Sequence, residues 1–244
     1  MNIAAPYKTY NGGKSGNGCY QQIINCFPPM QEYHELFVGN GGIFRRLRLP
    51  ARTVINDLDG SVINKYKKLR SKKIFVFNED ALGLLAEING NASYTRTTLI
   101  YLDPPYRKEV CKSKRPLYKH ELTEQQHKKL LMLASNSKCN VVISHYPDAL
   151  YNAMLKGWTK VDFKSMTRAG LVTERIYFNY PKPLLLQDYR YIGNDYRERE
   201  IIKRKTKRWI NRLHKMDKLQ RISILSSITA GFTEAAAALI HHQK

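Results

Sequence analysis

Short apolar runs alternate with glycine-rich or acidic turns along the first two thirds of the chain. These runs predict buried strands at 33–38 (YHELFV), 53–55, 73–77 (KIFVF), 98–102 (TLIYL) and 140–144. The stretches between them have apolar residues at helical spacing and predict helices at 43–47, 61–70, 81–88, 123–135 and 147–155. Strands that alternate with helices are typical of βαβ units, so we expect an α/β fold with a mostly parallel sheet.

The pattern changes towards the end of the chain. Two runs at 158–165 and 174–180 predict a closing antiparallel pair of strands. The segment 197–221 then carries eleven Lys and Arg residues against three acids, and it places Ile202, Trp209, Leu213 and Met216 on one helical face. An alanine-rich stretch at 233–242 predicts a last helix. We therefore expect an α/β domain over 1–188 and a basic helical C-terminal extension over 189–244.

The net charge of the chain indicates what kind of partner it binds. The 41 Lys and Arg residues outnumber the 20 acids and give a net charge of +21. Such a charge attracts polyanions, and nucleic acid is the commonest of these. An anionic membrane is the alternative, but the sequence has no apolar stretch of about 18 residues and no basic-then-apolar leader. None of the four cysteines forms a C-x-x-C pair, so we expect reduced thiols, no metal and a cytoplasmic protein.

The sharpest chemical signal is Asp103-Pro104-Pro105-Tyr106, which directly follows an apolar strand. Methylating an exocyclic amine requires acceptors that hold its hydrogens, because its lone pair is delocalised into the ring. A carboxylate and a backbone carbonyl can do this, and two prolines fix the turn that aims them. An aromatic ring beside them can stack on a base taken out of the helix. The alternative is an ordinary Asp-Pro turn with a core tyrosine.

A second signal is the segment 35–42 (ELFVGNGG), where a strand runs into glycines that let backbone approach a nucleoside cofactor. Asp57 follows Gly39 by eighteen residues, at the end of the next strand, where a carboxylate can bind ribose hydroxyls. Asp80 and Asp103 end the following two strands. The nearby Gly13-Lys14-Ser15 does not belong to a phosphate-binding P-loop, because Lys8 stands where that motif needs glycine.

The order of these motifs resembles the Dam-like adenine-N6 DNA methyltransferases. Residues 10–14 (YNGGK), 35–41 (ELFVGNG), 56–57 (ND) and 103–106 (DPPY) carry the resemblance, which covers about residues 6–180. Segments 20–29 and 188–199 are similar to those of small prophage-encoded members, some of which serve in restriction-modification. The resemblance implies a Rossmann-like, S-adenosylmethionine (SAM)-dependent methyltransferase fold with SAM as cofactor and double-stranded DNA as partner.

The resemblance also implies roles for single residues. Around the cofactor, Tyr10 and Lys14 would line the SAM site, a loop would surround its methionine part, Asp57 would bind ribose, and Asp80 would lie near the adenine. The loop residues are Glu35, Phe37, Gly39 and Gly41. At the target, Asp103 and the Pro104 carbonyl would accept hydrogen bonds from the amino group, Pro105 would fix the turn, and Tyr106 would stack on the flipped adenine.

Larger members of that family carry a recognition insertion that has no room here, since 45 residues separate Asp57 from Asp103 and the expected elements use nearly all of them. We therefore expect short or relaxed sequence specificity, with DNA contacts from other basic segments. The candidate contacts are Arg107, Lys108, Lys112, Lys114 and Arg115 after the catalytic turn, Arg168, and Lys203, Arg204, Lys205, Lys207 and Arg208 in the extension. The alternative for the extension is a solvated helix that packs its Trp209 face on the domain.

Two other functions remain open on the sequence. The catalytic turn would also permit methylation of adenine in RNA or of a protein amide, although protein glutamine methyltransferases usually have Asn where Asp103 stands. A DNA-binding protein that has lost catalysis is the third possibility, and the acids at 57, 80 and 103 argue against it. His145, at the end of the fifth strand, is a candidate substrate contact or a plain loop residue.

Overall fold

The computed structural model describes residues 6–7, 12–16, 18–111, 118–167 and 170–232. Seven strands run β1 Glu32–Glu35, β2 Arg52–Asn56, β3 Ile74–Phe77, β4 Thr98–Leu102, β5 Asn140–His145, β6 Thr159–Thr167 and β7 Gly170–Phe178. The α-helices are α1 Cys19–Ile24, α2 Gly60–Tyr66, α3 Ala81–Gly90, α4 Glu124–Ser135, α5 Ala149–Met154, α6 Tyr196–Lys215 and α7 Lys218–Gly231. Short 3-10 turns lie at Lys67–Leu69 and Tyr189–Tyr191.

All seven strands form one sheet in the order β3-β2-β1-β4-β5-β7-β6. The first five are parallel, and β7 lies antiparallel between β5 and β6. Glu35 is in register with Ile55 of β2 and Tyr101 of β4, so the carboxyl ends of the central strands lie at one edge. The expected fold, a mostly parallel Rossmann-like sheet closed by an antiparallel pair, is confirmed.

The sheet is covered on both faces, so its central strand β4 is buried along its whole length. All five residues of β4 are buried. Leu99 and Tyr101 face the layer that contains α1 and α2, whereas Ile100 and Leu102 face the layer that contains α3, α4 and α5. This alternation follows from the two-residue period of a strand.

Three local expectations were wrong. Helix α1 was not predicted, and β1 ends at Glu35 rather than Val38. The expected helix at 43–47 is a series of turns, because the chain reverses at Gly41 with φ at +60°. A Cβ on Gly41 would lie 2.6 Å from the Tyr66 hydroxyl, so this turn requires glycine for both its conformation and its close approach.

The described part of the basic extension contains two helices, α6 and α7, with a break at residues 216–217 inside the segment 197–221. Asp195 caps α6 at Glu198 N–H, and Asp217 caps α7 at the N–H groups of Leu219 and Gln220. The Arg221 guanidinium donates to the backbone carbonyls of residues 213 and 216, at 3.0 Å each, and so fixes the corner between the helices.

Both helices project from the sheet domain. No residue of α6 or α7 is buried against other described residues, and Trp209 is 61% exposed. The alternative in which the Trp209 face packs on the domain is therefore wrong. No helix within the described ranges is long and apolar enough to span a bilayer. The alanine-rich stretch at 233–242 lies outside the described residues.

Candidate active site

A cavity of about 470 Å³ opens at the carboxyl ends of β1, β2, β3 and β4. The sequence candidates Lys14, Glu35, Phe37, Gly39, Asp57, Asp80, Asp103 and Pro105 all line it. This is the edge at which open parallel sheets bind ligands. The volume suits a small cofactor, since typical ligand pockets span roughly 300–1,000 Å³.

The turn after β1 and the acid after β2 hold each other in place. Gly39, with φ at +46°, donates its N–H to Oδ2 of Asp57 at 2.8 Å. Oδ1 of Asp57 accepts from the N–H of Asp59 at 2.9 Å. Burial raises the pKa of Asp57, while these backbone donors oppose the shift. The carboxylate is therefore fixed at the cavity wall. Gly41 does not line the cavity but sets the reversal behind it.

Glu35 is the most deeply buried acid of the cavity, with 2% of its surface exposed. Its Oε2 accepts from the Tyr33 hydroxyl at 2.7 Å and from the Phe44 N–H at 2.9 Å. Burial raises the pKa of Glu35 to about 8, so the group is mostly protonated at neutral pH. Asp80 follows β3, and its side chain caps helix α3 by accepting a hydrogen bond from the Gly83 N–H.

The catalytic turn is paired with the glycine-rich N-terminal segment. Nζ of Lys14 lies 2.8 Å from Oδ1 of Asp103 and donates to the Gly12 carbonyl at 3.0 Å. Burial raises the pKa of Asp103 to about 6, and Lys14 limits that rise. Burial would lower the pKa of Lys14, but Asp103 and Glu174 outweigh it and raise that pKa. Both groups are therefore charged at neutral pH. Lys14, expected in the cofactor site, therefore also contacts the turn at residues 103–106.

Tyr106 is held on both sides. Its hydroxyl donates to Oε2 of Glu174 on β7 at 2.7 Å. Its ring centroid lies 4.6 Å from those of His145 and Tyr146, and Nζ of Lys14 lies 4.7 Å from it. The ring is 8% exposed. Sequence reasoning missed the roles of Glu174 and Tyr146; Glu174 stands between Thr173 and Arg175 in β7, so no local pattern marked it as a buried acid.

Arg107 follows the turn, and its guanidinium is buried rather than presented to solvent. It binds both carboxylate oxygens of Asp148, at 3.0 and 2.8 Å, with 11% of its side chain exposed. Its backbone N–H donates to Nε2 of His145, whose Nδ1 then carries the proton that is donated to the Tyr146 carbonyl. Arg107 and His145 therefore brace the catalytic turn from behind. Arg107 is not available to a phosphate in this conformation, which corrects our expectation of a DNA contact.

Three residues for which the sequence predicted no role also line the cavity. They are Tyr118, Lys119 and His120. Lys119 forms an ion pair with Asp59, the cap of α2, with Nζ 3.0 Å from Oδ1. A side chain at Gly12 would collide with the Tyr118 hydroxyl, so the two segments meet over the cavity.

The remaining nucleic-acid candidates divide into three groups. Lys108 is exposed and pairs with Glu121 at 2.7 Å. The exposed face of α6 carries Lys203, Arg204, Lys205, Lys207 and Arg208. Lys112, Lys114, Arg115 and Arg168 lie outside the described residues, as does Tyr10, which was expected in the cofactor site. The described residues contain no cluster of three or more His, Cys, Asp or Glu side chains that could hold a metal ion.

Comparison with known proteins gives no close relative. No protein-family model matches the sequence, and the comparison with curated proteins found no match. Among solved structures, the chain is similar to a provisionally named methylase from Haemophilus influenzae, at 18% identity over 66% of this chain and 85% of that one, with a TM-score of 0.42. The chain is also similar to a SAM-dependent methyltransferase from Agrobacterium tumefaciens, at 14% identity over 65% of this chain and 58% of that one, with a TM-score of 0.42. A third similar structure is a provisionally named methyltransferase from Escherichia coli, at 15% identity over 60% of this chain and 74% of that one, with a TM-score of 0.40.

Proposed function

We propose that the chain transfers a methyl group from SAM to the N6 amino group of adenine in DNA. The observation that carries this proposal is that the carboxylate of the catalytic turn, Asp103, lines the same cavity as Gly39 and Asp57. A cofactor held by the strand-end acids would thus lie beside the groups suited to a target amine.

The cavity fits a nucleoside cofactor with an amino-acid tail. Asp57 offers a rigid carboxylate for ribose hydroxyls, because its position is fixed by the Gly39 and Asp59 N–H groups. Phe37, Ile43 and Leu122 supply apolar wall for an adenine ring. The backbone also comes close here: a Cβ on Gly42 would lie 3.0 Å from the backbone of Lys14. When bound, the cofactor supplies an electrophilic methyl group on a sulfonium.

Asp103 and the Pro104 carbonyl act on the target amine. They accept hydrogen bonds from its two N–H groups and so aim its lone pair at the methyl group. As the new N–C bond forms and the C–S bond breaks, positive charge develops on the nitrogen, and the Asp103 carboxylate stabilises it before a proton is lost. With a pKa of about 6, Asp103 is mostly ionised at neutral pH.

Tyr106 supplies the platform for an extruded adenine. Its hydroxyl is anchored on Glu174, which fixes the ring plane. Nζ of Lys14 lies over this ring. A base that stacks there takes the place of the ammonium group, so base entry is coupled to the Lys14–Asp103 ion pair.

The basic helix α6 supports double-stranded DNA as the substrate. Its exposed Lys and Arg side chains can neutralise phosphates without any sequence information. The chain between β2 and β4 forms α2, a 3-10 turn, β3 and α3, and it contains no separate recognition domain. We therefore propose short or relaxed specificity. A methylation motif with four or more fixed bases, mapped on a treated genome, would contradict that part.

The direct test is methyl transfer with labelled SAM and unmethylated DNA, followed by digestion to nucleosides. We expect N6-methyladenine with the wild-type protein and none with Asp103→Ala. Glu87→Ala, which removes an exposed acid of α3 that does not line the cavity, is the control and should retain the activity. Parallel reactions with RNA and with protein decide between substrates. Label that enters RNA or protein but not DNA would overturn the choice of DNA, and absence of SAM binding would overturn the whole proposal.

A further inference from the structure

A second cavity of about 470 Å³ lies away from the catalytic edge. Thr53 near the start of β2 and Ile74 at the start of β3 line it, so it lies towards the amino ends of strands whose carboxyl ends form the first cavity. The five-residue β2 separates the two ends by about 13 Å. The second cavity is therefore a different site, and methyl transfer does not use it.

This cavity has a cationic rim on an apolar floor. The rim is formed by Arg45, Arg46, Arg48, Lys73 and Arg190. Asp188 neutralises part of this charge by pairing with Arg190. The side chains of Arg48 and Lys73 are exposed and form no ion pair with any acid in the described ranges. Cations held this close repel one another, and binding an anion relieves that repulsion.

A buried hydroxyl points to the same conclusion. Thr53 is fully buried, lines the cavity, and its Oγ1 has no hydrogen-bond partner among the described residues. Most buried polar side-chain atoms have a partner, and an orphan requires an explanation. An anion in the cavity would accept from this hydroxyl, while the cations of the rim would neutralise its charge.

We propose that this cavity binds the phosphate group of a nucleotide unit, with the apolar floor under its sugar or base. Phe44, Leu47, Leu49 and Pro50 form that floor. Arginine and lysine with a hydroxyl donor are groups that bind phosphate, and the volume suits one nucleotide. The nucleotide unit belongs either to a nucleic-acid strand or to a free nucleotide. The chain leads from Arg190 directly into α6, so a bound strand can continue onto the basic helix.

The first experiment measures binding of inorganic pyrophosphate to the full chain by calorimetry at low salt. We expect Arg48→Gln/Lys73→Gln to weaken binding about tenfold or more, since two charge-assisted hydrogen bonds to the anion can no longer form. Thr53→Val should weaken it about fivefold without lowering the melting temperature, because the hydroxyl has no partner to lose. The control is Lys138→Gln/Lys156→Gln, which removes the same charge from exposed sites elsewhere.

The second experiment separates the two sources of the nucleotide. Fluorescence anisotropy with a labelled oligonucleotide gives the salt dependence of binding for the same variants. If the slope of log K against log salt concentration is shallower in Arg48→Gln/Lys73→Gln than in the control, the site binds a nucleic-acid strand. An unchanged slope together with abolished pyrophosphate binding assigns it to a free nucleotide. Pyrophosphate binding that is absent, or equal in all variants, overturns the proposal whether or not the chain methylates DNA.

Discussion

Nζ of Lys14 lies 2.8 Å from Oδ1 of Asp103, so a cation from the N-terminal segment contacts the carboxylate of the catalytic turn. Burial raises the pKa of Asp103 to about 6, and Lys14 holds it below the value that burial alone would give. Lys14 therefore keeps the Asp103 carboxylate ionised at neutral pH.

The proposed transfer requires ionised Asp103, so the wild-type rate should rise with pH through about 6. Lys14→Met removes the nearby cation, raises the pKa of Asp103, and should move this acidic limb upward by about one pH unit or more. Lys14→Arg should leave the limb near its original position. The measurement is the rate of N6-methyladenine formation between pH 5 and 9, with Lys138→Met at an exposed site elsewhere as the control. A limb that stays in place in Lys14→Met would contradict the assignment.

The raised pKa of Glu35 predicts how the free energy of unfolding changes with pH. Its pKa is about 8 in the folded protein against 4.5 for a free carboxyl, so the folded state binds more protons between these values. Stability should therefore fall as pH rises from 4.5 to 8, by at most about 1.4 kcal/mol per pH unit for this group. Glu35→Gln cannot ionise and should lose less stability over that window. Urea unfolding at pH 5 and pH 8 measures this difference, and parallel losses in both proteins would refute it.

The buried Arg107–Asp148 ion pair predicts a structural defect. Arg107→Met leaves the Asp148 carboxylate buried without its cation and should cost on the order of 3–5 kcal/mol. Arg107→Met/Asp148→Asn removes that stranded charge and keeps an oxygen to cap α5 at the Tyr151 N–H, so it should recover most of the stability. Lys108→Met, at an exposed neighbouring position, should change stability little. Urea unfolding gives the values, and equal losses for the single and double variants would exclude a role for the ion pair.

Helix α6 predicts a salt-dependent defect without loss of folding. Replacing Lys203, Arg204, Lys205, Lys207 and Arg208 with Gln removes five cations that bury no surface against the domain. The slope of log K against log salt should fall by up to about 4.5, at roughly 0.9 for each phosphate that is no longer neutralised. SAM affinity and melting temperature should stay unchanged. An unaltered slope in anisotropy titrations would exclude α6 from the DNA interface.

The sheet and the cavity could be predicted from the sequence because each rests on a local pattern. Apolar runs marked the strands, and Asp57, Asp80 and Asp103 followed them as expected. Parallel strands bring such residues to one edge without further information. The cavity residues near β1, β2, β3 and β4 follow from this rule alone.

What the sequence could not show is how distant segments pair. The pairing of Tyr106 with Glu174 spans 68 residues, and that of Arg107 with Asp148 spans 41. Arg107 was interpreted as a surface cation because its neighbours in sequence are basic, and its buried partner follows β5. The turns at 43–47 were interpreted as a helix because their apolar spacing fits one, whereas Gly41 reverses the chain just before them.

The segment that follows the catalytic turn serves two sides of the molecule. Tyr118, Lys119 and His120 line the first cavity, while Lys108, which precedes them in the chain, faces solvent. Lys119 is paired with Asp59 and Lys108 with Glu121. A polyanion that binds either lysine must therefore first displace an acid, which reduces the gain from each such contact.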